Sequence, residues 1–131
     1  MPKFKFAKLV RDKIVEHQIA SGAEPKYRLL SEEEHRKELI NKIIEEAGEI
    51  TDSNPEDRAS EIADVQQAVD DLVEKYGLTR EQVSKEQARK NAKNGAFKKG
   101  IYVEYVEAEE SGEWTEYYRR NQGRYPRLIS C

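Results

Sequence analysis

The stretch SEEEHRKELINKIIEEAGEITDSNPEDRASEIADVQQAVDDLVEKYG, residues 31–77, decides the fold. Ser31 followed by Glu34 is a capping box, which satisfies two free backbone amides at a helix start. Leu39, Ile40, Ile43, Ile44, Ala47 and Ile50 then recur on one helical face, which predicts a helix to about Thr51. Asp52-Ser53-Asn54-Pro55 reads as a tight connection, with Asn54 as N-cap and Pro55 at the first helical position. A second helix follows to about Tyr76, burying Ile62, Val65, Val69, Leu72 and Val73, and Gly77 ends it. So short a connection forces the two helices to pack antiparallel.

Outward from this hairpin the texture stays helical. Residues 8–20 (KLVRDKIVEHQIA) place Leu9, Ile14 and Val15 at roughly helical intervals, with Ser21-Gly22 as a stop. Tyr27 to Leu30 reads as a short extended link. Thr79 with Gln82 is a second capping box, opening a further helix to about Asn94, and Gly95 closes it. Ile101-Tyr102-Val103-Glu104-Tyr105-Val106 is β-branched and aromatic and predicts a strand, pairing near Trp114. The tail, Tyr117 to Cys131, is rich in Arg and Tyr and is expected to be partly ordered. The expected fold is all-α, a four-helix-bundle-like single domain over residues 1–131. Its helical core spans about residues 8–95, and a small C-terminal extended segment and tail cover residues 97–131.

Composition narrows the function classes. The 131 residues suffice for one core. No apolar run approaches the ~18 residues of a membrane span, and no secretory-type apolar stretch opens the chain. The single cysteine, Cys131, excludes an intrachain disulfide framework and a cysteine zinc cluster. A cytoplasmic location without a membrane partner is the expectation. The net charge of −3 conceals segregation: residues 1–30 carry +4, residues 31–86 carry −10 and residues 87–131 carry +3. Carboxylates that hold divalent cations, with Lys and Arg from both ends meeting an anionic ligand, account for such a pattern. Simple neutralisation of the middle by the ends accounts for it equally.

The residues that carry chemistry are Glu45-Glu46-Ala47-Gly48-Glu49 and, after the turn, Glu61-Ile62-Ala63-Asp64. At about 100° per residue, Glu46 with Glu49 and Glu61 with Asp64 are face neighbours. At ~1.5 Å per residue from the turn, Glu45 and Glu46 fall level with Glu61 and Asp64. Carboxylates converging at one helix edge must take up protons or bind cations. An oxygen-only donor set selects Mg²⁺ or Mn²⁺ rather than zinc, and such ions are the usual partners of polyphosphates. The ordinary alternative is a Glu-rich surface on which Glu45 pairs with Lys42. Gly48, within the helix, either permits a close backbone approach or is merely tolerated, at about 1 kcal/mol relative to Ala.

EExxE on one helix and ExxD on the next resemble the all-α nucleoside-triphosphate pyrophosphohydrolases, the group of MazG-like and phosphoribosyl-ATP pyrophosphohydrolase-like proteins. KLVRDKI, Lys8 to Ile14, is similar to the N-terminal signature of a small branch of that group. Lys90 followed by Gly95-Ala96-Phe97 and a strand is similar to that branch's ending. The resemblance covers residues 8 to about 106. It implies Mg²⁺-dependent attack of water on the α-phosphorus of a nucleoside triphosphate, or of phosphoribosyl-ATP, giving the monophosphate and pyrophosphate. By motif position it implies Glu46, Glu49, Glu61 and Asp64 as metal ligands and Glu45 as a ligand or the group orienting water. It also implies Lys8, Arg11, Lys13 and Lys90 as phosphate contacts, and a homodimer or larger assembly. Departures stand out: the eleven residues between Glu49 and Glu61 are a short spacing, Gln67 stands where a further acid often follows ExxD, Val15 replaces Pro, Ala96 replaces Gly, and the chain beyond Val106 has no counterpart.

Other readings find less support. His17 and His35 have no metal-ligand spacing, and no dinucleotide or P-loop glycine motif is present. The Tyr117-Tyr118-Arg119-Arg120 tail, with Arg124, Tyr125 and Arg127, could stack on bases, but a pI near 5.6 disfavours a dedicated nucleic-acid binder. A non-catalytic helical protein that binds a nucleotide or a partner is the second function class.

Overall fold

The computed structural model describes residues 1–128 and is all-helical among them. The helices are α1 (Ile14–Ala20), α2 (Glu32–Thr51), α3 (Arg58–Lys75), α4 (Arg80–Asn94) and α5 (Glu113–Arg120). One 3₁₀ turn, Pro55–Asp57, leads into α3. The chain divides into two compact units, residues 1–94 and residues 95–131. Cys131 lies outside the described residues.

In the first unit, α2 begins as its capping box dictates. The Ser31 hydroxyl accepts from the Glu34 amide, and the Glu34 carboxylate accepts from the Ser31 amide. Arg28 adds a two-pronged bond to the same carboxylate at 2.8 and 3.2 Å. Together the Arg28 guanidinium and the Ser31 donors hold Glu34 down at a pKa of about 2. The second capping box also forms, since the Gln82 amide donates to the Thr79 hydroxyl and the Thr79 amide to the Gln82 side chain. Gly77 and Gly95 take φ values of +71° and +80°, the left-handed turn that releases the chain from α3 and α4.

The α2–α3 pairing is antiparallel. Lys75 at the end of α3 bonds Glu32 at the start of α2 across 2.8 Å, while the acidic residues near the turn meet at the other end. The apolar stripe is thin. Among the described residues, Leu39 and Ala68 are the buried apolar ones, at 3% and 5% exposure, and Ile40, Ile44 and Ile62 stay largely exposed. Every residue of α4 is exposed. The α2–α3 hairpin is therefore the packed centre of this unit, and α1 and α4 add little burial to it.

Three expectations need correction. The helix expected over residues 8–20 starts only at Ile14, because residues 8–13 run without regular structure and send Lys8 and Arg11 to carboxylates on α2 and α3. Asn54 precedes a 3₁₀ turn rather than α3 itself and makes no side-chain cap bond. The strand expected at residues 101–106 does not form, and the segment has no regular structure. A strand needs a pairing partner for its backbone groups, and the residues near Trp114 are helical instead.

In the second unit, Trp114, Tyr117, Tyr118 and Tyr125 form one aromatic cluster with ring centroids 5.2–6.1 Å apart. Arg119 pairs with Glu110 and Arg120 with Glu116, and Arg124 lies over the Tyr125 ring at 5.5 Å. The Arg/Tyr pattern thus packs largely upon itself. Among the described residues, no helix is long and apolar enough to cross a membrane.

Candidate functional site

The short connection brings the acidic end of α2 level with the acidic start of α3. Glu45, Glu46 and Glu49 offer carboxylate oxygens within 4.8 Å of one another, and so do Glu46, Glu61 and Asp64. Glu46 belongs to both trios and links the helices. The helical geometry responsible is elementary: positions three and four apart share a face, and the antiparallel turn sets the heights.

Electrostatics record the crowding. Glu46 is pushed above the ordinary carboxylate range by burial first, then by the charges of Glu49 and Asp64, against the pull of Lys42. Glu61 is pushed up by burial and then by Glu49, Asp64 and Asp57. Glu61 also holds one carboxylate oxygen shielded from solvent without a hydrogen-bond partner, a costly arrangement for an isolated group. Glu45 behaves oppositely. A bond from Lys42, followed by one from Lys8, holds its pKa below the ordinary range.

Three cations reach this set. Lys42 Nζ lies 2.8 Å from Glu45 and 3.8 Å from Glu46 and is only 17% exposed. The surface pair that the sequence offered as the ordinary alternative is therefore present, beside the convergent carboxylates. Lys8 Nζ lies 3.1 Å from Glu45, and Arg11 lies 2.5 Å from Asp64. Proximity to Glu45 raises the Lys8 pKa.

All five candidate acids, with Lys8 and Arg11, thus share one locality. Lys13 and Lys90 are not tied to it by an ion pair among the described residues. Lys13 is the exposed residue preceding α1. Lys90 is exposed on α4, where the Arg89 guanidinium first, and the Lys90 charge after it, hold the Glu86 pKa below the ordinary range. Gln67 donates to Asp71 at 3.1 Å along α3. A Cβ added at Gly48 would meet open space, so close backbone approach within this chain is not the reason for glycine there. Lys42 is the participant whose reach to two carboxylates the sequence reading missed, though its spacing of three and four residues from Glu45 and Glu46 was a usable signal.

The donor set suits a hard divalent cation. It is all carboxylate, it contains an unpartnered oxygen on Glu61, and two of its members are destabilised as anions. No protein-family model matches the chain, and no characterised protein or solved structure matches it either.

Proposed function

We propose that the chain is a nucleoside-triphosphate pyrophosphohydrolase of the MazG-like and phosphoribosyl-ATP pyrophosphohydrolase-like kind, dependent on Mg²⁺ or Mn²⁺. The convergence of two carboxylate trios on Glu46 carries this reading. Glu46, Glu49, Glu61 and Asp64 would hold the cation, which supplies charge neutralisation at phosphate oxygens and a more acidic water. Glu45, held ionised first by Lys42, would accept a hydrogen bond from the attacking water and orient it. Lys8 and Arg11 would meet phosphate oxygens, the guanidinium in two-pronged fashion, with Lys13 and Lys90 as further contacts. Water oxygen bonds to the α-phosphorus, the α–β bridging bond breaks, and nucleoside monophosphate and pyrophosphate leave.

Hydrolysis in ¹⁸O-labelled water tests the bond that breaks. The label is expected in the monophosphate, and label in inorganic phosphate or pyrophosphate would contradict attack at the α-phosphorus.

We further propose a homodimer or larger assembly, since Ile40, Ile44 and Ile62 stay exposed in one copy, and a cytoplasmic location. A second reading has its own observation. Lys8, Arg11 and Lys42 already compensate part of the acidic set, as they would in a non-catalytic nucleotide- or partner-binding protein.

A further inference from the structure

Each carboxylate trio surrenders one member to a cation from the same short segment. Glu45 of the first trio is held by Lys8, and Asp64 of the second is held by Arg11. These two ion pairs cross from residues 8–11 to α2 and to α3 respectively. They differ in kind from the Lys42 pairs, because Lys42 is fixed on α2 itself. The segment carrying Lys8 and Arg11 has no regular structure, and only Leu9 and Val10 within it are half-buried. Immediately before Lys8, Ala7 sits at φ +46°, a left-handed conformation uncommon for alanine and maintained only when neighbouring contacts outweigh its cost. Besides the two ion pairs and the two apolar side chains, the segment is held by the Ile14 amide donating to the Arg11 carbonyl at 3.1 Å and by Lys8 lying 5.9 Å from the Phe6 ring centre.

We propose that residues 8–11 form a cation latch: Lys8 and Arg11 occupy the carboxylates until a divalent cation displaces them, and the freed side chains then bind the anion that accompanies the cation. The inference rests on the metal reading above and adds a coupling to it. A divalent ion among Glu46, Glu49, Glu61 and Asp64 has to win Asp64 from Arg11, and its charge beside Glu45 competes with Lys8 for that carboxylate, so intrinsic affinity is reduced by the cost of opening the latch. The released ammonium and guanidinium remain tethered beside the site, where they add positive charge for a phosphate group. Anion affinity is thereby raised only after the metal is in place. That order makes sense for a site that must not capture an uncomplexed anion.

The coupling has a signature of opposite signs. Mn²⁺ binding, followed by the spin-resonance signal of the free ion, is compared in the full chain and in the Lys8→Met/Arg11→Met double variant. Lys3→Met/Lys5→Met, just before the segment and with the same loss of charge, serves as the control for general electrostatics. The latch variant is expected to bind Mn²⁺ at least about 5-fold tighter, and the control to change less than about 2-fold. With Mn²⁺ saturating, inorganic pyrophosphate is expected to bind the latch variant at least about 5-fold more weakly than the unaltered chain.

Equal Mn²⁺ affinity in all three proteins would overturn the latch and leave the metal reading standing. So would an equal gain in the control, or pyrophosphate binding that is unchanged in the latch variant. Absence of Mn²⁺ binding from every protein would overturn both. Circular dichroism of each variant establishes that the helices are retained, because neither pair lies within a helix.

Discussion

Glu46→Gln and Glu61→Gln are each expected to reduce pyrophosphate release by at least about 100-fold while raising the melting temperature at neutral pH. The two effects share one cause. Burial and neighbouring anions make both carboxylates costly to ionise in the folded chain. An acid whose pKa rises on folding binds its proton better in the native state, so stability declines as pH climbs from the ordinary carboxylate value through the raised one. Glutamine removes that penalty. The melting temperature of the unaltered chain should therefore fall relative to each variant as the pH climbs from the ordinary carboxylate value, about 4.3, through the raised one, as thermal scans across pH would show. Activity lost together with stability would instead mark these residues as structural. Sites that work often sacrifice stability in this way. Asp64→Asn should lower turnover similarly, and it also removes the partner of Arg11.

Leu39→Ala is the second large expectation, a loss of about 2–5 kcal/mol in unfolding free energy measured with urea. Leu39 is 3% exposed, in a unit with little else fully buried, so the cavity it leaves has few neighbours able to close over it. Ile44→Ala provides the informative contrast. At 66% exposure it should cost no more than about 0.5 kcal/mol in a lone copy. A larger, concentration-dependent loss is expected if a second copy covers this face. Sedimentation of Ile44→Glu then gives the assembly state directly, with a shift toward monomer as the expected result.

The hairpin was legible because its information is local. Capping side chains three residues apart, a stripe of Leu and Ile, and a Pro-containing connection each act within a turn or two of chain. The convergence of Glu45, Glu46 and Glu49 with Glu61 and Asp64 followed from two helical rises and one short connection, and the trios bear that counting out. Where information is not local, reading failed. Ile101 to Val106 has strand composition, yet composition cannot supply a neighbour to pair with. Residues 8–13 have helical spacing, yet the pull of Glu45 and Asp64 on Lys8 and Arg11 comes from 37 and 53 residues away. Lys90 stands outside this local counting: its motif position implies a phosphate contact, and the structure leaves it exposed on α4.

The central claim is that the shared carboxylates hold a divalent cation for cleavage between the α- and β-phosphates. Pyrophosphate release tests it most directly, across standard, deoxy and modified nucleoside triphosphates and phosphoribosyl-ATP, with Mg²⁺, with Mn²⁺ and with EDTA. Release is expected from at least one substrate with either metal, and none with EDTA. Absence of release from every substrate, with folded protein and metal present, would contradict it, as would release that persists undiminished in EDTA.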